Sequence, residues 1–138
     1  MIAYLDSSVL LRVVLGQTNA LKEWRSIEQG VVSGLVEVEC LRTLDRIRLT
    51  TRVGDKVIAT RREAIFRLLE TLEVVEPRGS VLARAAHPLP TVLGTPDAIH
   101  LSTALLWRES TETDLVMATH DDALALAAKA SGLRVVGI

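Results

Sequence analysis

The feature that most constrains the fold is a set of five short apolar runs, "IAYLD", "VVS", "EVVEP", "DLVMATH" and "RVVGI", each separated from the next by enough residues for a helix. These runs show little two-residue alternation of apolar and polar side chains. That is the pattern of strands covered on both faces. Strands of this kind interleaved with helices predict an α/β fold: a three-layer α/β/α sandwich around a central, mostly parallel sheet. Helices are expected at "SVLLRVVLG", ending at Gly16, and at "NALKEWRSIEQG" (19–30), with a polar face and a glycine stop. Further helices are expected over 35–49, 54–72, "SVLARAAH" before Pro88, 96–110, and "DALALAAKASG". No repeat, low-complexity tract or long linker interrupts the pattern, so residues 1–138 are expected to form one domain.

In open parallel sheets, ligands gather outside the carboxyl ends of the strands. This gives meaning to Asp6, which ends the first apolar run, and to Asp121, which follows "LVMAT" in the same way. Asp97 opens the helix after Thr95-Pro96, and Glu39 lies early in the helix after "VVS". Each acid has an ordinary structural alternative. Asp6 and Asp121 suit helix N-caps, as does Asp122 beside the latter. Asp97 suits the first turn of a helix capped by Thr95 with Pro96 at its first position. Glu39 could pair with Arg42 or Thr43 one turn on.

The helical faces argue for more than capping. At about 100° per residue, apolar side chains cover most of the helix from Pro96, leaving Asp97, His100, Thr103 and Ala104 in one sector. An acid and a histidine on a largely buried helix need partners. In the helix from Leu35, Glu39 shares a face with Arg42, Thr43 and Arg46, while Glu37 points elsewhere. Four converging carboxylates repel one another, and a divalent cation would relieve that repulsion. No cysteine or histidine cluster has zinc spacing, and all-oxygen ligands suit Mg²⁺ or Mn²⁺. Such an ion serves phosphoryl-transfer chemistry.

Charge adds a second signal. The formal net charge is −1, yet residues 42–67 carry a net +5 and the remainder a net −6. A basic strip within an acidic molecule can hold a polyanion beside an acidic site; a solvated helix face is the plainer alternative. Aromatic residues make up only 3%, too few for a base-stacking platform. The single cysteine, Cys40, fits a reducing compartment. The sequence has no apolar run near the ~20 residues that span a bilayer and no basic leader followed by an apolar stretch. A cytoplasmic protein without a membrane partner is therefore expected.

The stretches "YLDSSVLL", "SGLVEVECLR", "TPDAIHLSTALL" and "MATHDDALALAAKASGLRVV" together resemble the PIN-domain ribonucleases, most of all the VapC toxins of toxin–antitoxin pairs. The likeness covers nearly the whole chain in order. It implies a metal-dependent endoribonuclease using Mg²⁺ or Mn²⁺. It would make Asp6, Glu39, Asp97 and Asp121 the catalytic acids, with Asp6 and Asp97 the main metal ligands. Glu39 and Asp121 would act through water or a second ion. Ser7 or Ser8 and Thr119 would be hydroxyls that hold water or orient carboxylates, and His100 a hydrogen-bonding support. Asp122 is not favoured, because the threonine-x-aspartate motif selects Asp121. The likeness further implies a homodimer held inactive by a VapB-like antitoxin. Arg42, Arg46 and Arg61 stand out within the basic strip as RNA-backbone contacts.

Three other readings remain at this point. One is a non-catalytic interaction protein, and another a metal-dependent nuclease acting on DNA. The third is a phosphatase using Asp6 as nucleophile, which is disfavoured because position 8 is Ser8 and no late lysine motif follows.

Overall fold

A computed structural model describes all 138 residues. The strands are β1 (Ile2–Leu5), β2 (Gln29–Ser33), β3 (Glu73–Val75), β4 (Leu115–Ala118) and β5 (Arg134–Val136). All pair in parallel, in the order β3-β2-β1-β4-β5. The helices are α1 (Ser7–Val14), α2 (Leu35–Thr51), α3 (Asp55–Glu70), α4 (Ser80–Ala86), α5 (Thr95–Thr111) and α6 (Asp122–Ala130). This is the expected three-layer α/β/α arrangement. No helix is long and apolar enough to cross a membrane.

The central strands β1, β2 and β4 are largely apolar because both their faces are covered, whereas the edge strands β3 and β5 are more exposed and carry Glu73 and Arg134. In β1, Tyr4 joins one core with Val31, Leu101, Met117 and Leu124, whereas Ala3 and Leu5 join the opposite core with Val9, Val32, Cys40 and Ala118. Each large side chain so buried contributes about 1.5–3 kcal/mol, which fixes register, since a one-residue slip would exchange the two faces. The chain winds outward from β1 to β3, then returns to lay β4 on the other side of β1. The order of strands reverses between β1 and β4, and the crevice at such a reversal is the usual ligand position.

Residues 19–30 depart from expectation. Instead of a helix there is a short 3₁₀ turn, Lys22–Ser26, and β2 begins at Gln29. Gly30 is a strand residue opposite Ala3, not a helix stop. A Cβ there would lie 2.5 Å from Leu72 Cδ2 and 2.9 Å from Leu5 Cδ1. The glycine serves close packing, which sequence reads as a breaker. A smaller shift occurs at α5: Gly94, in extended conformation, occupies the cap position expected for Thr95, which becomes the first helical residue.

Candidate metal centre

The site forms where β1 and β4 end side by side. Asp6 N–H donates to Ala118 O at 3.1 Å, carrying the β1–β4 pairing one residue past the strand. Asp6 then turns out of the sheet as the N-cap of α1, its Oδ1 accepting from Ser7 N at 2.8 Å. Its Oδ2 accepts from Ser8 Oγ at 2.7 Å and Thr119 Oγ1 at 2.9 Å. Ser7 Oγ is more distant, 3.4 Å from Oδ1. The two closer hydroxyls are anchored in turn, since Ser8 Oγ accepts from His120 N and Thr119 Oγ1 from Asp121 N, each at 3.0 Å. The α1 and α6 starts are thus clasped around one carboxylate, which is only 4% exposed. Charge-assisted bonds of this kind contribute about 1.5–3 kcal/mol each.

Glu39 reaches the same place from α2. Its Oε1 lies 2.5 Å from His100 Nε2, and that nitrogen lies 3.7 Å from Asp6 Oδ1. The Asp6 oxygen that caps the helix is therefore also the one nearest the other donors. Glu37, two residues earlier, is exposed and lines a separate cavity with Ser33, Phe66 and Val74. His100 is wholly buried, and its Nδ1 lies 2.7 Å from Tyr4 Oη. Burial disfavours the charged ring, but the Glu39 hydrogen bond and the charges of Asp6, Glu39 and Asp97 outweigh it and raise the His100 pKa. Burial, then the Asp6 charge, lifts the Tyr4 phenol well above its ordinary range, so it stays protonated.

Asp97 sits half-buried in the first turn of α5. Burial first, then the charges of Asp121, Asp6 and Glu39, push its carboxyl up to about 6, with His100 opposing. Asp121 caps α6, Oδ1 accepting from Leu124 N at 2.8 Å. Asp122 is exposed in the next position. Asp6, Glu39 and His100 each offer a ligand atom within 4.8 Å of the others; Asp97 and Asp121 lie outside that tight group but within its field. No lysine or arginine pairs with any of the four acids. Arg42 and Arg46 are exposed on α2 and Arg61 half-buried on α3.

This donor set fits a hard divalent cation. Several carboxylates converge with no lysine or arginine beside them, and burial first, then the neighbouring negative charges, raise the Asp97 pKa. The imidazole does not select zinc, because its Nε2 is already engaged by Glu39 and no second histidine or thiolate joins it. The Cys40 thiol, beside Glu39, points into the core and is pushed up to about 12 by burial, then by Glu39 and Asp6.

Two participants escaped the sequence reading. Tyr4 read only as strand core, yet it lies two residues before Asp6, and side chains at that spacing share a face. His120 read only as the last residue of the strand run "DLVMATH", whereas β4 ends at Ala118. Its backbone N–H anchors Ser8, its Nδ1–H donates to Gly137 O at 2.7 Å, and its Nε2 is buried without a partner.

Known proteins show the same architecture. A toxin–antitoxin complex from Klebsiella pneumoniae matches over 97% of this chain and 95% of its own, with TM-score 0.69 and 19% identity. VapBC2 from Rickettsia felis, solved bound to a DNA fragment from its promoter, matches over 98% and 97%, with TM-score 0.68 and 12% identity. A Pyrobaculum aerophilum protein solved as a crystal structure matches over 99% and 90%, with TM-score 0.62 and 22% identity. No curated protein matches in sequence. The family model for the PIN domain matches residues 3–130, a span that takes in Asp6, Glu39, Asp97, Asp121 and every strand except β5. The chain with this carboxylate cluster at its strand ends belongs to the PIN-domain family.

Proposed function

We propose that this chain is a Mg²⁺- or Mn²⁺-dependent endoribonuclease, the toxin of a VapBC-type toxin–antitoxin pair, with residues 1–138 forming a single PIN unit. The observation that carries the reading is the group of carboxylates at the β1–β4 reversal, gathered around buried His100 with no lysine or arginine paired to them. Asp6 and Asp97 would be the main ligands of the ion, with Glu39 and Asp121 acting through water or a second ion; the tight Asp6–Glu39–His100 group supports a direct place for Glu39 as well. A bound cation would activate water for attack on a phosphodiester and stabilise the departing oxygen.

The chain's own residues do the rest. Ser8 and Thr119 hold Asp6 Oδ2, which leaves Oδ1 facing the pocket. His100 holds Glu39 and is itself held by Tyr4. A bound cation would offset the neighbouring negative charges that help hold the Asp97 carboxyl up at about 6. Two structural neighbours are toxin–antitoxin complexes, which supports a VapB-like antitoxin as partner. A homodimer and a cytoplasmic location belong to the same reading.

The test is an assay of purified protein, free of antitoxin, on structured RNA and on DNA. It is run with Mn²⁺, with EDTA, and with Asp6→Asn. Cleavage of RNA that requires the ion and Asp6 is expected. Cleavage indifferent to both sinks the metal mechanism, and preferential cleavage of DNA reassigns the substrate. No cleavage together with no Mn²⁺ binding leaves an interaction protein.

A further inference from the structure

Between α4 and α5 the chain runs through "HPLPTVLG", residues 87–94. Two restraints set the shape of this loop. Pro88 and Pro90 each fix φ at about −65°, and Leu89 and Leu93 pack against the core that holds Tyr4 and Leu101. Between those anchors Val92 stands in solvent, 98% exposed. Together with Ala98 of α5 the loop lines a cavity of about 360 Å³, within the ~300–1,000 Å³ usual for ligand sites.

The lining is apolar except for exposed His87 and for Thr91. Thr91 Oγ1 is sealed from solvent and hydrogen-bonds to nothing. Buried hydroxyls are nearly always paired, and an unpaired one costs the fold stability. Rotation about the Thr91 Cα–Cβ bond exchanges hydroxyl and methyl, so a polar group in the cavity would offer the missing partner. The position of the cavity matters as much as its lining. Ala98 directly follows Asp97 in the first turn of α5. Their Cα atoms are about 3.8 Å apart and their side chains leave the helix about 100° apart. The acidic pocket and the cavity therefore adjoin one helical turn.

We infer that this cavity takes one unstacked base of the RNA strand, beside the scissile phosphodiester, with Val92 against the base and Thr91 and His87 at its polar edge. The inference rests on the nuclease reading and adds to it a contact that senses base identity, which the acids cannot supply. Single-stranded RNA is read by splaying bases out, seating them on flat or apolar side chains and hydrogen-bonding their edges. This chain, with 3% aromatic residues, has no stacking platform, and a preformed apolar slot serves in its place. The threonine hydroxyl both donates and accepts, and a neutral imidazole carries one donor and one acceptor, so the two can tell base edges apart. The two prolines and the two core-anchored leucines hold the slot open before the base arrives, which spares the entropy of ordering it.

The test measures binding without turnover. Isotope-labelled protein in EDTA is titrated with ribotrinucleotides that carry A, C, G, U or no base at the central position, followed by amide NMR. The amides of Thr91, Val92, Leu93 and Ala98 are expected to shift with the base-bearing trinucleotides and not with the abasic one. Val92→Ser is expected to weaken base-dependent binding about tenfold. Thr91→Val is expected to narrow the spread of affinity among the four bases several-fold. The same substitution should keep or raise the melting temperature, because it deletes an unpaired hydroxyl, and this separates a lost contact from a lost fold. Leu126→Ser, which alters an exposed apolar side chain on α6, is expected to change neither property.

Silent loop amides, equal shifts with the abasic trinucleotide, or equal weakening by Leu126→Ser would overturn the base slot. So would loop amides that shift with protein concentration alone, which would place a second copy of the chain in the cavity. The two readings fail separately. Base-dependent shifts in a protein that cleaves no RNA with Mn²⁺ sink the nuclease assignment alone. Mn²⁺-dependent cleavage with no base preference beside the cut, together with silent loop amides, sinks the slot alone.

Discussion

Tyr4 Oη lies 2.7 Å from His100 Nδ1, and the opposite nitrogen of that ring lies 2.5 Å from Glu39 Oε1. A phenol in the sheet interior therefore sets the position of a carboxylate at the sheet edge. With neutral imidazole the phenol donates to Nδ1, and Nε2–H donates to Glu39; with imidazolium both nitrogens donate.

Tyr4→Phe keeps the ring and removes the hydroxyl, leaving His100 Nδ1 unpaired in a fully buried position. Stability should fall by about 1–3 kcal/mol, read by urea denaturation. Supports behind a metal ligand typically change affinity 10- to 100-fold, so Mn²⁺ binding by calorimetry should weaken within about that range. Unchanged stability and unchanged affinity would show that the phenol does not position Glu39.

The ion-free protein should lose stability between about pH 4 and pH 6. The folded Asp97 carboxyl is raised to about 6 against an ordinary 3.8, so the folded state holds a proton there that the unfolded state has released. As pH rises through that window, ionising Asp97 costs folding energy; below it the cost is absent. Asp97→Asn should flatten this part of the pH–stability curve in EDTA and depress Mn²⁺ affinity. A variant curve that parallels wild type would remove Asp97 as the source.

Mn²⁺ should stabilise the fold, because the acids converge only when the chain is folded. At a hundred times the dissociation constant the gain is about 2.7 kcal/mol, visible as a raised melting temperature that EDTA reverses. Asp6→Asn should show a much smaller rise. An equal rise in that variant would place the ion elsewhere.

Thr119→Val preserves shape but deletes the hydroxyl that donates to Asp6 Oδ2 and accepts from Asp121 N. A loss of about 1–3 kcal/mol is expected, together with weaker ion binding. Ser8→Ala should act in the same direction, and because both bonds converge on one oxygen the double variant should be non-additive. Strict additivity in a double-mutant cycle would mean that the two hydroxyls act independently.

Patterns set by neighbours in sequence were legible before the structure. Apolar runs without alternation announced all five strands, of which β1, β2 and β4 are buried on both sides and the edge strands β3 and β5 are not; helical periodicity separated inward Glu39 from exposed Glu37. Features set by distant contacts were not. Gly30 reads as a helix stop until Leu72 and Leu5 are seen against it. Tyr4 reads as core until His100 arrives from a helix nearly a hundred residues later. The cap of α5 fell on Gly94 instead of Thr95, a one-residue ambiguity usual at helix ends. Which acids form the tight group was equally hidden, because side-chain reach and not strand order decides that Asp6 and Glu39 meet at His100 while Asp97 and Asp121 stand back.

The clasp between Asp6 and Thr119 also has a consequence in time. Asp6 is synthesised 113 residues before Thr119, whose hydroxyl orients it, and likewise long before Ala118, whose carbonyl holds its backbone. Contacts so distant in sequence form late in folding. A nascent chain that has made Asp6 therefore has no assembled carboxylate pocket until β4 is made and takes its place beside β1.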